Sequence, residues 1–231
     1  MTVGRSYFFG LGLVLISIVL AAVASGQQGW SRVQTIKFGN AGAALNSVYF
    51  DGDDIWVVGA DGYAARSFDD GRTFQQVSVG VDNGLNDVFA RKDKIWMVGD
   101  GGVILRSTDE GRSFIKSYYS SHSTPASDPQ NPSGGVDLYS VQFVDGETGY
   151  IVGDHGLILK TSNGGLSWRE QRSGTDAQLF HLSFQDERGW VVGTGGIILH
   201  TDNGGQNWYP QRSGVKDDLN RVYFVSDNVG L

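Results

Sequence analysis

Leu45-Asn-Ser-Val-Tyr-Phe50 is followed by Trp56-Val-Val-Gly59 and then by Ser67-Phe-Asp-Asp-Gly-Arg-Thr-Phe74, and this order of three blocks repeats along the chain. The first block returns as Leu85-Asn-Asp-Val-Phe-Ala90, Leu138-Tyr-Ser-Val-Gln-Phe143, Leu179-Phe-His-Leu-Ser-Phe184 and Leu219-Asn-Arg-Val-Tyr-Phe224, at spacings of 40, 53, 41 and 40. The second returns as Trp96-Met-Val-Gly99, Tyr150-Ile-Val-Gly153 and Trp190-Val-Val-Gly193, with glycines 40, 54 and 40 apart. The third returns as Ser107-Thr-Asp-Glu-Gly-Arg-Ser-Phe114, Thr161-Ser-Asn-Gly-Gly-Leu-Ser-Trp168 and Thr201-Asp-Asn-Gly-Gly-Gln-Asn-Trp208. Three independent registers agree, which excludes chance. Inside one unit, alternating β-branched and aromatic runs bounded by Gly, Asp or Asn mark four short strands. In the first unit these are a, near Leu45 to Phe50; b, near Ile55 to Val58; c, near Tyr63 to Ser67; and d, near Thr73 to Val77. Four strands in about forty residues is the size of a propeller blade. The expected fold is therefore all-β, a β-propeller of four-stranded blades.

The ends of the chain refine that expectation. Trp30-Ser-Arg-Val33 resembles a d strand without an a, b or c strand before it, the arrangement of an outer strand that completes the last blade and latches the ring. The sequence stops at Leu231, where strand b of the fifth unit begins. It reads as four blades plus parts of two others, truncated by about 100 residues from a seven-bladed ring. Upstream, Arg5 precedes an uncharged run from Tyr7 to Ala24, a signal-peptide layout over residues 1–24. Ala22 and Ala24 suit the −3 and −1 positions, so cleavage is expected after Ala24 or near Gly26; an uncleaved membrane anchor is the alternative. Either way the body, residues 29–231, is expected to be exported. No cysteine is present, which excludes disulfides and thiolate metal sites. A formal charge of −7 argues against nucleic acid as a partner.

The third block fits the pattern Ser/Thr-x-Asp/Asn-x-Gly-x-Ser/Thr/Asn-aromatic, the Asp box or bacterial neuraminidase repeat. Together with the Leu-x-x-Val-x-Phe and aromatic-x-Val-Gly blocks, and with Gln171-Arg-Ser-Gly174 and Gln211-Arg-Ser-Gly214, the chain resembles the photosystem II assembly and stability factors of cyanobacteria and plastids, from about Trp30 to Leu231. That resemblance implies a seven-bladed lumenal propeller that helps early assembly of the photosystem II reaction centre. It implies a membrane-complex subunit as partner, residence in the thylakoid lumen or periplasm, peripheral or N-terminally anchored membrane association, no cofactor and no catalysis. Cyanobacterial members often carry a lipoprotein cysteine after the leader, which this chain lacks. The family's surface arginine cluster maps in part, onto Arg66, Arg106 and Lys160 at one repeat position that becomes His200 in the fourth unit, with Arg72, Arg112, Arg172 and Arg212 beside them.

Each chemical reading has a structural rival. Asp69, Asp109, Asn163 and Asn203 are oxygen donors beside glycine, but one side chain per turn caps backbone N–H groups more readily than it builds a calcium loop, so no metal is expected. Val98-Gly-Asp-Gly-Gly-Val103 and Val192-Gly-Thr-Gly-Gly-Ile197 resemble phosphate loops, yet a strand rather than a helix is expected to follow, which makes them b-to-c hairpins. His122, His155, His181 and His200 lack zinc spacing. Trp56, Trp96, Tyr150 and Trp190 are read as inter-blade core. Sialidases also carry Asp boxes, but the Arg-Ile-Pro segment they share is absent, and no acid pair of a xyloglucan-cleaving propeller is identifiable. An exported glycan-binding or glycan-cleaving propeller remains the alternative function.

Up-and-down topology assigns the loops to two faces. Connections b-to-c and d-to-a share one, and a-to-b and c-to-d, with the Asp boxes, share the other. The first face receives an insertion from about Ser117 to Val136 containing Pro125, Pro129 and Pro132, open to a functional or a disordered reading. The basic positions at the ends of strands c read either as an array for an acidic or extended peptide or as solvated charge.

Overall fold

The computed structural model describes residues 44–52, 54–119, 135–226 and 229–230. The expected leader, the strand expected at Trp30 to Val33, His122 and most of the insertion lie outside the described residues. Four four-stranded antiparallel sheets follow one another in chain order. The first is β1 (Leu45–Asp51), β2 (Asp54–Gly59), β3 (Ala64–Ser67) and β4 (Gln75–Gln76). The second is β5 (Leu85–Arg91), β6 (Lys94–Gly99), β7 (Val103–Ser107) and β8 (Ile115–Tyr118). The third is β9 (Leu138–Phe143), β10 (Gly149–Gly153), β11 (Ile158–Thr161) and β12 (Arg169–Gln171). The fourth is β13 (Leu179–Gln185), β14 (Arg188–Gly193), β15 (Ile198–Thr201) and β16 (Tyr209–Gln211), and a two-stranded piece, β17 (Phe224–Ser226) with β18 (Val229–Gly230), begins the fifth. Among the described residues no helix is long and apolar enough to cross a membrane.

In each of the four four-stranded sheets strand a is irregular at its second residue. The ladder shifts between Leu45 and Ser47, between Leu85 and Asp87, at Tyr139, and between Leu179 and His181. This repeated bulge raises local twist and frees the second side chain to reach sideways. Asn46 Nδ2 donates to Leu85 O at 3.0 Å, and Asn86 Nδ2 to Leu138 O at 3.1 Å. Strand a of one blade is thereby stitched to strand a of the next. Strands a line the axis, and the outermost strand β8 is exposed along its whole length.

The main cores lie between blades as well as within them. One cluster joins Trp56 and Val58 to Leu85, Ile95 and Met97; a second joins Trp96 and Val98 to Leu138, Phe143 and Ile151; a third joins Tyr150 and Val152 to Leu179 and Phe184. At these seams the strand-b aromatic stacks on the strand-a phenylalanine of the following blade: Trp96 on Phe143 at 3.7 Å, Tyr150 on Phe184 at 3.8 Å, and Trp190 on Phe224 at 3.8 Å. The box aromatic then closes the group edge-on, Trp168 against Phe143 and Trp208 against Phe184. In the first seam Ala90 occupies the phenylalanine position, and Trp56 meets Phe114 directly, edge-on at 6.3 Å. Trp56, Trp96 and Tyr150 are at most 1% exposed.

Two elements differ from expectation. Strand d of the first blade is only Gln75–Gln76, shorter than the stretch from Thr73 to Val77. Thr73 is held by the preceding turn instead of the ladder. In the fifth unit the strand begins at Phe224, not Leu219. A ladder of the usual length needs a six-residue strand b, and the described residues supply Val229–Gly230.

Candidate functional site

The four Asp boxes share one hydrogen-bond plan. In the first, Gly71 N–H donates to Ser67 Oγ at 2.9 Å, Ser67 Oγ donates to Asp69 Oδ1 at 2.8 Å, and Thr73 donates its N–H to Asp69 Oδ1 at 2.8 Å and its hydroxyl to Oδ2 at 2.7 Å. Asp109 is held in the same way by Ser107 and Ser113. Where the box carries Asn, polarity reverses at one contact: Asn163 Nδ2 donates to Ser167 Oγ at 2.9 Å. Asn203 Oδ1 accepts from Thr201 Oγ1 and Asn207 N–H. One side chain thus satisfies a whole turn. Among the described residues no group of three acidic or imidazole side chains is placed to hold a metal. The glycine loops Asp100–Gly102 and Thr194–Gly196 run into strands β7 and β15, with Gly101, Gly102, Gly195 and Gly196 all at positive φ.

These hydrogen bonds hold two carboxyls well below the usual range. The Thr73 backbone N–H, then the Thr73 and Ser67 hydroxyls, bring Asp69 to about 2; the Ser113 hydroxyl and N–H, then Ser107, do the same for Asp109. Because the folded value is lowered, this stabilisation is complete above the ordinary carboxylate range and is lost as pH falls toward about 2. The double substitution Asp69→Asn with Asp109→Asn removes that contribution and is therefore expected to lower the melting temperature modestly at neutral pH. It should also shrink the loss of melting temperature on acidification, read by circular dichroism. An acid response identical to that of the unsubstituted chain would show that the boxes do not set it.

The seven basic residues of the expected array fall into two sets. Arg66 is buried and reaches the Asp54 carboxylate and the Glu110 carbonyl of the next blade, with its guanidinium 4.2 Å from the Phe68 ring centroid. Arg106 Nε donates to Gly164 O at 2.7 Å, and Lys160 Nζ to Gly204 O at 2.6 Å. Trp96 Nε1 and Tyr150 OH donate to the same two carbonyls at 3.0 Å. Each tie therefore joins the end of strand c to the Asp-box turn of the following blade. His200, at the same position in the fourth blade, lies against Trp190 at 4.9 Å. The remaining four are exposed: Arg72 and Arg112 on the Asp-box turns, Arg172 and Arg212 just after strands d. Since Ile158 pairs with Gln171 and Ile198 with Gln211, Arg172 and Arg212 sit at the b-to-c ends of their blades, opposite the boxes. The structure does not bring the seven onto one face.

A constellation not singled out from the sequence lies on the axis. The third residue of each strand-a block is polar: Ser47, Asp87, Ser140, His181 and Arg221. Asp87 joins three blades, accepting from Ser47 Oγ at 2.7 Å and from Ser140 Oγ and Val141 N–H at 3.0 Å. Burial nonetheless pushes its pKa upward, against these bonds and the nearby Arg221. His181 is held down to about 3, first by burial and then by Arg221, and its Nδ1 is buried without a hydrogen-bond partner. Both residues keep some accessible area yet are densely surrounded by protein, as groups lining a narrow channel are. They border a cavity of about 220 Å³. The signal was present in sequence, as one polar residue recurring at a fixed position of an otherwise apolar strand.

Residues 133–216, spanning the third and fourth blades, match the model of the family described as Photosynthesis system II assembly factor YCF48. The resemblance to that family is thereby shown. YCF48 from Cyanidioschyzon merolae superposes with a TM-score of 0.63 at 19% identity, over 80% of this chain and 62% of that one. A GH74 xyloglucanase from Xanthomonas campestris superposes with a TM-score of 0.53 at 16% identity, over 69% of this chain and 29% of that one. The structure described as YCF48 bound to D1 peptide aligns with a TM-score of 0.46 at 18% identity, over 88% of this chain and 79% of that one. At such identities the first two establish the shared propeller fold, and this chain spans about three fifths of the Cyanidioschyzon protein. No curated protein matches.

Proposed function

We propose that this chain is an exported, non-enzymatic propeller that binds a subunit of a membrane complex during assembly, as the photosystem II assembly factors do. The match of residues 133–216 to the YCF48 family model carries this reading. The apolar run before Ala24 supports export to the thylakoid lumen or periplasm, with the chain peripheral to the membrane or anchored at its N-terminus. Of the expected basic residues, Arg66, Arg106 and Lys160 are engaged between blades, which leaves Arg72, Arg112, Arg172 and Arg212 as the exposed candidates for an acidic partner. Affinity purification of the full chain from membranes of its source organism is expected to recover a subunit of a membrane complex. The double substitution Arg172→Glu with Arg212→Glu is expected to weaken that capture by about tenfold, the scale of two surface charge contacts, with an unchanged melting temperature. Recovery of no protein partner would overturn the reading. Fold likeness to GH74 enzymes keeps a glycan-directed alternative in view, and release of reducing sugar from xyloglucan by the purified chain would favour it.

A further inference from the structure

An asparagine followed by glycine can cyclise, because glycine carries no side chain to keep its backbone nitrogen from the neighbouring amide carbon. The chain has three such steps, Asn83-Gly84, Asn163-Gly164 and Asn203-Gly204. The reaction needs the glycine nitrogen free to lose its proton and swing toward the asparagine Cγ. In the two Asp boxes that nitrogen is held: Gly164 N–H donates to Glu147 O and Gly204 N–H to Glu187 O, both at 2.8 Å. The box side chains are pinned as well, Asn163 Oδ1 by Ser167 N–H and Asn203 Oδ1 by Asn207 N–H. Asn83-Gly84 lies in the connection from β4 to β5, and there the oxygens carry the hydrogen bonds. Asn83 O accepts from Gly62 N–H of the first blade at 3.0 Å, Gly84 O accepts from Asp100 N–H at 2.9 Å, and Asn83 Nδ2 donates to Asp100 O at 3.0 Å. Among the described residues the Gly84 N–H has no acceptor. The equivalent nitrogens of the next two blades do have one: Asp137 N–H donates to Asp154 Oδ2 and Gln178 N–H to Thr194 Oγ1, both at 3.2 Å. In the second blade the matching side chain is Asp100, whose Oδ1 is taken by Asn86 Nδ2 at 2.8 Å.

We propose that Asn83 is a site of spontaneous deamidation that the fold leaves open while it closes the other two. Gly84 N loses its proton to solvent and bonds to Asn83 Cγ; the Cγ–Nδ2 bond breaks, and ammonia leaves a cyclic imide. Water then opens either imide carbonyl, giving aspartate or isoaspartate, with no change in oxidation state. Both products lose the Nδ2 donor to Asp100 O and add a negative charge. Isoaspartate also lengthens the backbone by a methylene between the bond to Gly62 and the bond to Asp100, which loosens the junction of the first and second blades. The site stands independently of the assembly-factor reading.

The test is ageing of the unsubstituted full chain at mildly alkaline pH, with peptide mapping by mass spectrometry and isoaspartate detection by methyltransferase labelling. Asn83 is expected to convert at least about tenfold faster than Asn163 or Asn203, because each box must first open its glycine hydrogen bond. In the urea-unfolded chain the three rates are expected to converge. Asn83→Gln should remove the fast event and leave the two slow ones unchanged. The converted fraction, separated by ion exchange, is expected to melt below the fresh chain. Conversion of Asn83 no faster than that of the box asparagines in the folded chain would overturn the proposal. So would a tenfold gap that persists in urea, since local sequence and not the fold would then set the rates.

Discussion

Trp96→Ala is expected to lower the free energy of unfolding by about 3–5 kcal/mol, the range for removing a fully buried tryptophan. Trp96 is fully buried, stacks on Phe143 of the next blade at 3.7 Å, and donates its indole N–H to Gly164 O at 3.0 Å. Truncation removes apolar contact, opens a cavity in the seam, and takes one of two donors from the Gly164 carbonyl, leaving Arg106 alone on it. Trp96→Phe keeps an aromatic face and loses the N–H, so its expected cost is smaller, about 1–2 kcal/mol. Trp190→Ala is expected to cost less than Trp96→Ala, because Trp190 is only half-buried although it stacks on Phe224. Urea denaturation of the three variants checks the ranking. Equal losses at Trp96 and Trp190 would show that the depth of burial of the strand-b aromatic does not set the cost.

Gly111→Ala is expected to destabilise by about 2–4 kcal/mol, against about 1 kcal/mol for Gly174→Ala. Both glycines adopt positive φ, +81° at Gly111 and +78° at Gly174, so both substitutions force a side chain into the left-handed region. Space separates them. A Cβ on Gly111 would run into the Trp56 ring of the preceding blade, whereas nothing lies within 4 Å of one on Gly174. The difference between the two measured losses is therefore the cost of pushing one blade away from the next. Indistinguishable losses would mean that the Asp-box turn is not packed against its neighbour's tryptophan.

The repeat made much of this architecture legible. Periodicity named the blades, period-two alternation located strands a to c, and the recurring aromatic of strand b marked the seams. The bulge in strand a was not legible, because it turns on which backbone groups pair, and the Leu-x-x-Val pattern has no residue type that demands it. The basic residues show the same limit in chemistry. Arg106 and Lys160 sit at half-buried strand positions, and nothing in residue type distinguishes a charge facing water from one facing Gly164 O or Gly204 O. Only the placement of the following blade decides it. Asp87 was readable as a pattern, since polar residues recur beside it in each unit, but its role as a clasp emerges only when strands a from three blades converge. Residues 1–43, which hold the expected leader and the stretch Trp30 to Val33 read as a strand, and residues 120–134 lie outside the described residues.

The central claim, recognition of a protein in place of catalysis on a glycan, is tested most directly by calorimetric titration of the full chain with a peptide from the membrane-complex subunit recovered by affinity purification and, in parallel, with xyloglucan. The account predicts a saturable heat with the peptide, reduced by Arg172→Glu with Arg212→Glu, and no sugar released from xyloglucan. Hydrolysis of xyloglucan together with no heat from the peptide would contradict it.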